Sequence, residues 1–155
     1  MSRRVRAIAA VALLAAPVVI AACGGSDSAG SASSEFCAAW RKVNDSDTGA
    51  HGGDPAAITQ PAAMKKTWTG SVALAEELRT NAPAAILDDV TVVVENLIAQ
   101  NKVMAANGYD ITAMSKDPKV RTQMDALAGD AAVVKAKANY VKFADDACGT
   151  SYATS

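Results

Sequence analysis

The chain has 155 residues, 15 of them Lys or Arg and 16 Asp or Glu, for a net charge of −1. Half of the residues are hydrophobic but only 5% are aromatic, so a core here must rest mainly on small aliphatic side chains. The charge balance argues against a nucleic-acid partner, because phosphate binding needs a clustered basic footprint and the basic clusters here are pairs such as Arg41-Lys42 and Lys65-Lys66.

The first 22 residues are expected to be a signal peptide. Arg3, Arg4 and Arg6 make a basic start, Ala7 to Ala22 an apolar run, and Ile20-Ala21-Ala22-Cys23 a small-residue cleavage site. The alternative is an uncleaved anchor helix. Against it, the run contains Pro17 and is shorter than the roughly 20 apolar residues that span a bilayer. Ile20 to Cys23 also resembles the bacterial lipobox, which directs lipidation of its cysteine. Cleavage before Cys23 removes three basic residues and no acidic one. That leaves 12 basic against 16 acidic residues, a balance of −4. Residues 23–34 then form the lipidated cysteine and a Gly/Ser-rich tether, since small polar residues bury too little apolar surface to fold.

A helical domain is expected over residues 35–149. Around Phe36, Trp40 and Val43 the spacing i, i+4, i+7 predicts a short first helix, capped by Ser33 or Ser34 and favoured by Glu35 in its first turn. Asn44 to Gln60 reads as a long loop rich in Gly, Asp and Ser. Pro61 opens a second helix, with Met64, Trp68, Val72, Ala75 and Leu78 at helical spacing. The Asn81-Ala82-Pro83 segment breaks the chain, and Pro83 starts a third helix ending at Asn107-Gly108. The β-branched run Thr91 to Val94 would also suit a strand, but the flanking periodicity favours helix. Tyr109 to Asp117 reads as a connector. A last helical region runs from Pro118 to Cys148 with a kink at Gly129-Asp130, and residues 150–155 form a frayed tail. The expected fold class is all-α, an antiparallel bundle of about four helices with the last one kinked.

Three cysteines are present: Cys23, Cys37 and Cys148. Lipidation of Cys23 leaves an even pair, and an oxidising compartment then favours a Cys37–Cys148 disulfide. The alternative is two buried free thiols. With that pattern the chain resembles small uncharacterised actinobacterial lipoproteins. The resemblance rests on the lipobox and tether, the Phe36-Cys37-Ala38-Ala39-Trp40 segment, the Ala82-Pro83-Ala84-Ala85-Ile86-Leu87-Asp88-Asp89-Val90 helix start and the Tyr140 to Cys148-Gly149 helix end. It covers most of residues 20–149. It implies a disulfide-linked helical bundle at the cell envelope, with no known activity.

Catalytic signals are weak. His51 is the sole histidine, so a zinc site lacks nitrogen ligands even with Asp45, Asp47 and Asp54 nearby. Asp45 to Gly49 resembles part of a calcium loop but lacks the later bidentate Glu. Gly-x-Ser-x-Gly and Ser-x-x-Lys motifs are absent. The adjacent pairs Asp88-Asp89 and Asp145-Asp146 point about 100° apart on a helix, unlike facing acid and base groups. Neither a metal site, a cofactor nor a catalytic residue is expected. Trp40, Trp68, Tyr109 and Tyr140 are candidates either for an apolar pocket in the bundle interior or simply for core. The leading expectation is a lipid-anchored, extracytoplasmic, non-enzymatic binding module whose partner is an unidentified envelope protein. The alternative is a carrier of a lipid or other apolar ligand, and an envelope hydrolase ranks third.

Overall fold

A computed structural model describes residues 32–49 and 59–149 of the chain. The expected signal peptide, Cys23, most of the tether, His51, Asp54 and the tail at 150–155 lie outside the described residues. Among those described there is no strand, and the elements are α1 (Ser34–Gly49), α2 (Pro61–Thr80), α3 (Leu87–Ala106), α4 (Ile111–Met114), α5 (Pro118–Ala128) and α6 (Ala131–Cys148). The Thr91 to Val94 run is helical.

The helix ends follow local chemistry. The Ser33 hydroxyl accepts from the Phe36 N–H at 3.0 Å and starts α1. The Asp117 carboxylate accepts from the Lys119 N–H at 2.8 Å and the Val120 N–H at 3.3 Å, capping α5. Asp130 does the same for α6, accepting from Ala132 at 2.8 Å and Val133 at 3.3 Å. These carboxylates satisfy N–H groups that have no partner inside the helix. Gly149 closes α6 with φ of 67°, the left-handed conformation glycine adopts without a Cβ clash.

Three boundaries differ from the sequence expectation. α1 runs on to Gly49 rather than ending near Val43. Asn, Asp, Ser and Thr are each less than about 1 kcal/mol worse than Ala in a helix, too little to stop one already anchored by its first turns. α3 begins at Leu87 rather than Pro83. The Ile86 N–H donates to the Pro83 carbonyl at 3.0 Å in a preceding turn, and Ile86 itself is buried. The 109–117 connector contains α4, capped by Asp110, whose carboxylate accepts from the Ala113 N–H at 2.9 Å.

The packing is a four-rod bundle in which α5 and α6 together make the fourth rod, broken at Gly129-Asp130. α3 is central and contacts α2, α5 and α6. The short turn after Thr80 makes α2 and α3 antiparallel neighbours. α5 and α6 run back along α3, so Leu127 meets Asn96 while Tyr140 and Ala144 share a core with Val90.

The core forms two clusters. The first joins Phe36, Ala39 and Trp40 of α1 to Leu78, Ile86, Val90, Val94, Tyr140 and Ala144. Trp40 and Phe36 are fully buried there. Trp40 meets Tyr140 edge-on at 5.8 Å, and Phe36 meets Phe143 edge-on at 6.0 Å. Such pairs add about 0.5–1.5 kcal/mol beyond the area they bury. The second cluster holds Met64, Val103, Met104, Tyr109 and Met114, with Val120, Met124 and Leu127 of α5 packed against it. Tyr109 sits there with φ of 59°, a strained value for a residue with a side chain. Its N–H donates to the Met104 carbonyl at 2.8 Å and its hydroxyl donates to Asn101 Oδ1 at 3.2 Å, which hold it in place.

Cys37 and Cys148 are disulfide-bonded with Cα atoms 5.4 Å apart, so the start of α1 is tied to the end of α6. The bond closes a sequence separation of 111 residues. A loop of that length lowers the entropy of the unfolded chain by about 4–5 kcal/mol in free-energy terms.

Candidate functional site

Between the two clusters lies a half-open cavity of about 510 Å³. Its walls come from Trp68, Ser71, Leu74 and Ala75 of α2, Val93, Val94, Leu97, Asn96 and Gln100 of α3, and Val133, Val134, Lys137 and Tyr140 of α6. Val43 of α1 and Ala128 of α5 complete the edges. The sequence explains the space. Helix axes approach to about 8–10 Å when ridges interlock, but Ser71, Ala75 and Ala128 are too short to fill the gap that their larger neighbours hold open. The break at Gly129-Asp130 adds to it by separating the end of α5 from the start of α6.

The cavity is mostly aliphatic, with one ordered polar edge. The Gln100 amide donates to Asn96 Oδ1 at 2.5 Å, and the Asn96 amide donates to the Leu127 carbonyl at 3.0 Å. Leu127 is in the last turn of α5, where carbonyls lack intrahelical partners. Thr67 and Ser71 add hydroxyls. Among the described residues that line the cavity, Lys137 is the only charged one. The rim is open at α6: Lys137 is exposed, and Val134 is 57% exposed, unusual for a large aliphatic side chain.

The four aromatic candidates separate. Trp68 and Tyr140 line the cavity. Trp40 does not; it is fully buried in the first cluster, behind Tyr140. Tyr109 lies in the second cluster. Asn96, Gln100 and Lys137 were not singled out from sequence. The available signal was Asn96 and Gln100 at i, i+4 on a helix whose other inward positions are aliphatic.

The acidic pairs sit at helix ends. Asp88 and Asp89 lie in the first turn of α3, where carboxylates suit the helix dipole. Asp146 accepts from Lys142 Nζ at 2.6 Å on the exposed face of α6. That hydrogen bond, with the attraction between the two charges, raises the Lys142 pKa above its ordinary value. Among the described residues, no group of three or more His, Cys, Asp or Glu side chains is placed to hold a metal ion. No helix among them is long and apolar enough to cross a membrane.

No family model, no curated protein and no solved structure matches this chain.

Proposed function

We propose that this protein is a lipid-anchored binding module on the outer face of the cytoplasmic membrane, and that it binds an apolar ligand inside its bundle. The observation that carries the reading is the 510 Å³ cavity, which is aliphatic on most sides, polar along one edge and open at the α6 rim. Binding sites for small molecules share that make-up: concave, mainly apolar, with a few placed polar groups, and about 300–1,000 Å³ in volume. The ligand-carrier reading thus takes precedence over a purely protein-binding module. An anchor supports it, because a carrier at the membrane surface meets apolar molecules at high local concentration.

The anchor is proposed from the lipobox-like Ile20-Ala21-Ala22-Cys23 segment and from cysteine pairing. The disulfide uses Cys37 and Cys148, so Cys23 is left without a partner in the chain. The function is non-enzymatic in this reading, with the amides and hydroxyls of the cavity serving to orient a ligand.

The test is denaturing extraction of the natively purified protein followed by mass spectrometry of the organic phase. An apolar compound recovered in stoichiometric amount supports the reading. The same compound should be lost from an Ala128→Trp variant, which fills the cavity edge from an exposed position. An empty protein that also takes up no added apolar probe overturns it.

A further inference from the structure

We infer that the end of the bundle remote from the disulfide is a cationic docking surface for a flexible, linear polyanion. Six basic residues that stand as pairs and singles in the sequence are gathered there around the second core cluster. Lys65 and Lys66 follow Met64, Lys102 precedes Val103, Lys116 lies two residues after Met114, and Lys119 and Arg121 flank Val120. All six are exposed, and none forms an ion pair among the described residues. Four carboxylates share this part of the fold. Asp110, Asp117 and Asp130 accept from helix N–H groups, so their charge is set against the positive ends of those helices, which leaves Asp125.

The disulfide end has the reverse character. Lys42 pairs with Glu77, Arg79 with Glu76 and Lys142 with Asp146, and Asp88 and Asp89 add further negative charge. Along α2 and α3 the two clusters lie about 20 Å apart, from Leu78 to Met64 and from Val90 to Val103. Salt screens exposed charges beyond about 8 Å, so a polyanion at the far end does not sense the acidic end, and the net charge of the chain averages the asymmetry away. Three features choose the occupant. Neighbouring helical residues point about 100° apart, so Lys65 and Lys66, like Lys119 and Arg121, face different directions; a flexible chain can follow them, whereas a flat rigid face meets only some. Five of the six are Lys, a compact point charge without the planar fork that fixes a single carboxylate or phosphate, which suits interchangeable contacts along a polymer. Finally, the chain enters α1 at Ser34 beside the disulfide, so an anchor at Cys23 keeps the opposite end nearer the bilayer. Only this last point rests on the proposed anchor, and the cavity ligand plays no part.

The experiment is calorimetric titration of the purified full chain at neutral pH with four probes: long-chain polyphosphate, polyglutamate, duplex DNA and phosphatidylglycerol vesicles. The two flexible polymers should bind. Their affinity should fall about 100-fold as salt rises fourfold, as expected when about five cations are engaged. A Lys119→Gln, Arg121→Gln double variant should bind both polymers at least tenfold more weakly and with a shallower salt dependence. An Arg41→Gln, Lys135→Gln double variant removes two exposed cations elsewhere and should stay within twofold of the unmodified protein. Binding of one polymer without the other would narrow the polyanion to phosphate or to carboxylate. No binding of either polymer at low salt overturns the proposal. Equal weakening in the two double variants overturns its location. Tighter binding of duplex DNA or of vesicles overturns the flexible polymer as occupant. Each of these failures leaves the apolar-ligand reading standing, because none depends on whether the cavity is filled. Circular dichroism of each variant separates loss of binding from loss of fold.

Discussion

The Asn96 side chain reaches across the bundle and donates to the Leu127 carbonyl at 3.0 Å, joining residues 31 apart in sequence. It is a tie between the middle of α3 and the last turn of α5. α5 has no fully buried residue; Val120, Met124 and Leu127 are only half-buried where they pack against the second cluster, which leaves it the less firmly packed half of the fourth rod. Replacing Asn96 by Ala should therefore cost about 1 kcal/mol through the lost hydrogen bond. The loss should be local. Amide exchange in α5 should accelerate well before that in α6, because weakly packed elements open independently of the core. Uniform acceleration across the bundle would contradict that division.

The disulfide gives a second prediction. A Cys37→Ser, Cys148→Ser double variant should lose about 2–5 kcal/mol, read from denaturant unfolding of oxidised and variant proteins. The bond joins the start of α1 to the end of α6, and α1 is otherwise held mainly by Phe36, Ala39 and Trp40. α1 should accordingly be the first element to lose protection. Unchanged stability in the variant would remove the structural role of the bond.

The two tryptophans should behave differently. Trp40 is fully buried, so Trp40→Ala leaves a large void and should cost about 3–5 kcal/mol. Trp68 is half-buried on the cavity wall. Trp68→Ala should cost about 1–2 kcal/mol, because fewer neighbours lose contacts when its ring is removed. Thermal or denaturant unfolding of both variants checks the order, and equal costs would place Trp68 in the core.

These contrasts also mark what was legible in the sequence. Helix type, the Asp130 break, the Gly149 stop and the Cys37–Cys148 pair were readable, because each depends on local pattern or on cysteine number. The end of α1 was not. Its polar residues Asn44 and Asp45 have weak helix preferences that anchoring overrides. Nor was the cavity. Trp40 and Trp68 both sit at helical spacing, and which one faces empty space depends on how far α1 extends and on short residues such as Ser71 and Ala128 on other rods. Periodicity identifies an inward face without revealing what stands opposite it.

Glu35 gives a pH prediction. Its carboxylate accepts from its own backbone N–H and from the Ser34 hydroxyl, the latter at 3.1 Å, in the first turn of α1. These bonds favour the charged form and hold its pKa below the ordinary glutamate value. A carboxyl whose folded pKa lies below its unfolded one contributes stability above the unfolded value. That contribution disappears as pH falls through the folded value. Carboxyl NMR titration should place the Glu35 midpoint below the ordinary glutamate value. Ser34→Ala should move it upward without abolishing the depression, because the backbone bond is the larger cause and remains.

The anchor proposed at Cys23 has the most direct test. The structure accounts for the other two cysteines, since both are consumed by one bond. Lipobox processing would add a diacylglyceryl group, and two chains hold a protein stably where one holds it marginally. No helix among the described residues is long and apolar enough to cross a membrane in its place. Cys23→Ser should therefore either block processing, leaving a precursor at the membrane, or release a mature-sized protein from it. Fractionation with size analysis distinguishes the two from a third outcome. A mature-sized Cys23→Ser protein still bound to the membrane would mean that another surface holds it. The bundle itself would then be the membrane-binding element, and the exposed Leu87, Val92 and Val134 side chains would be the first to replace with Ser.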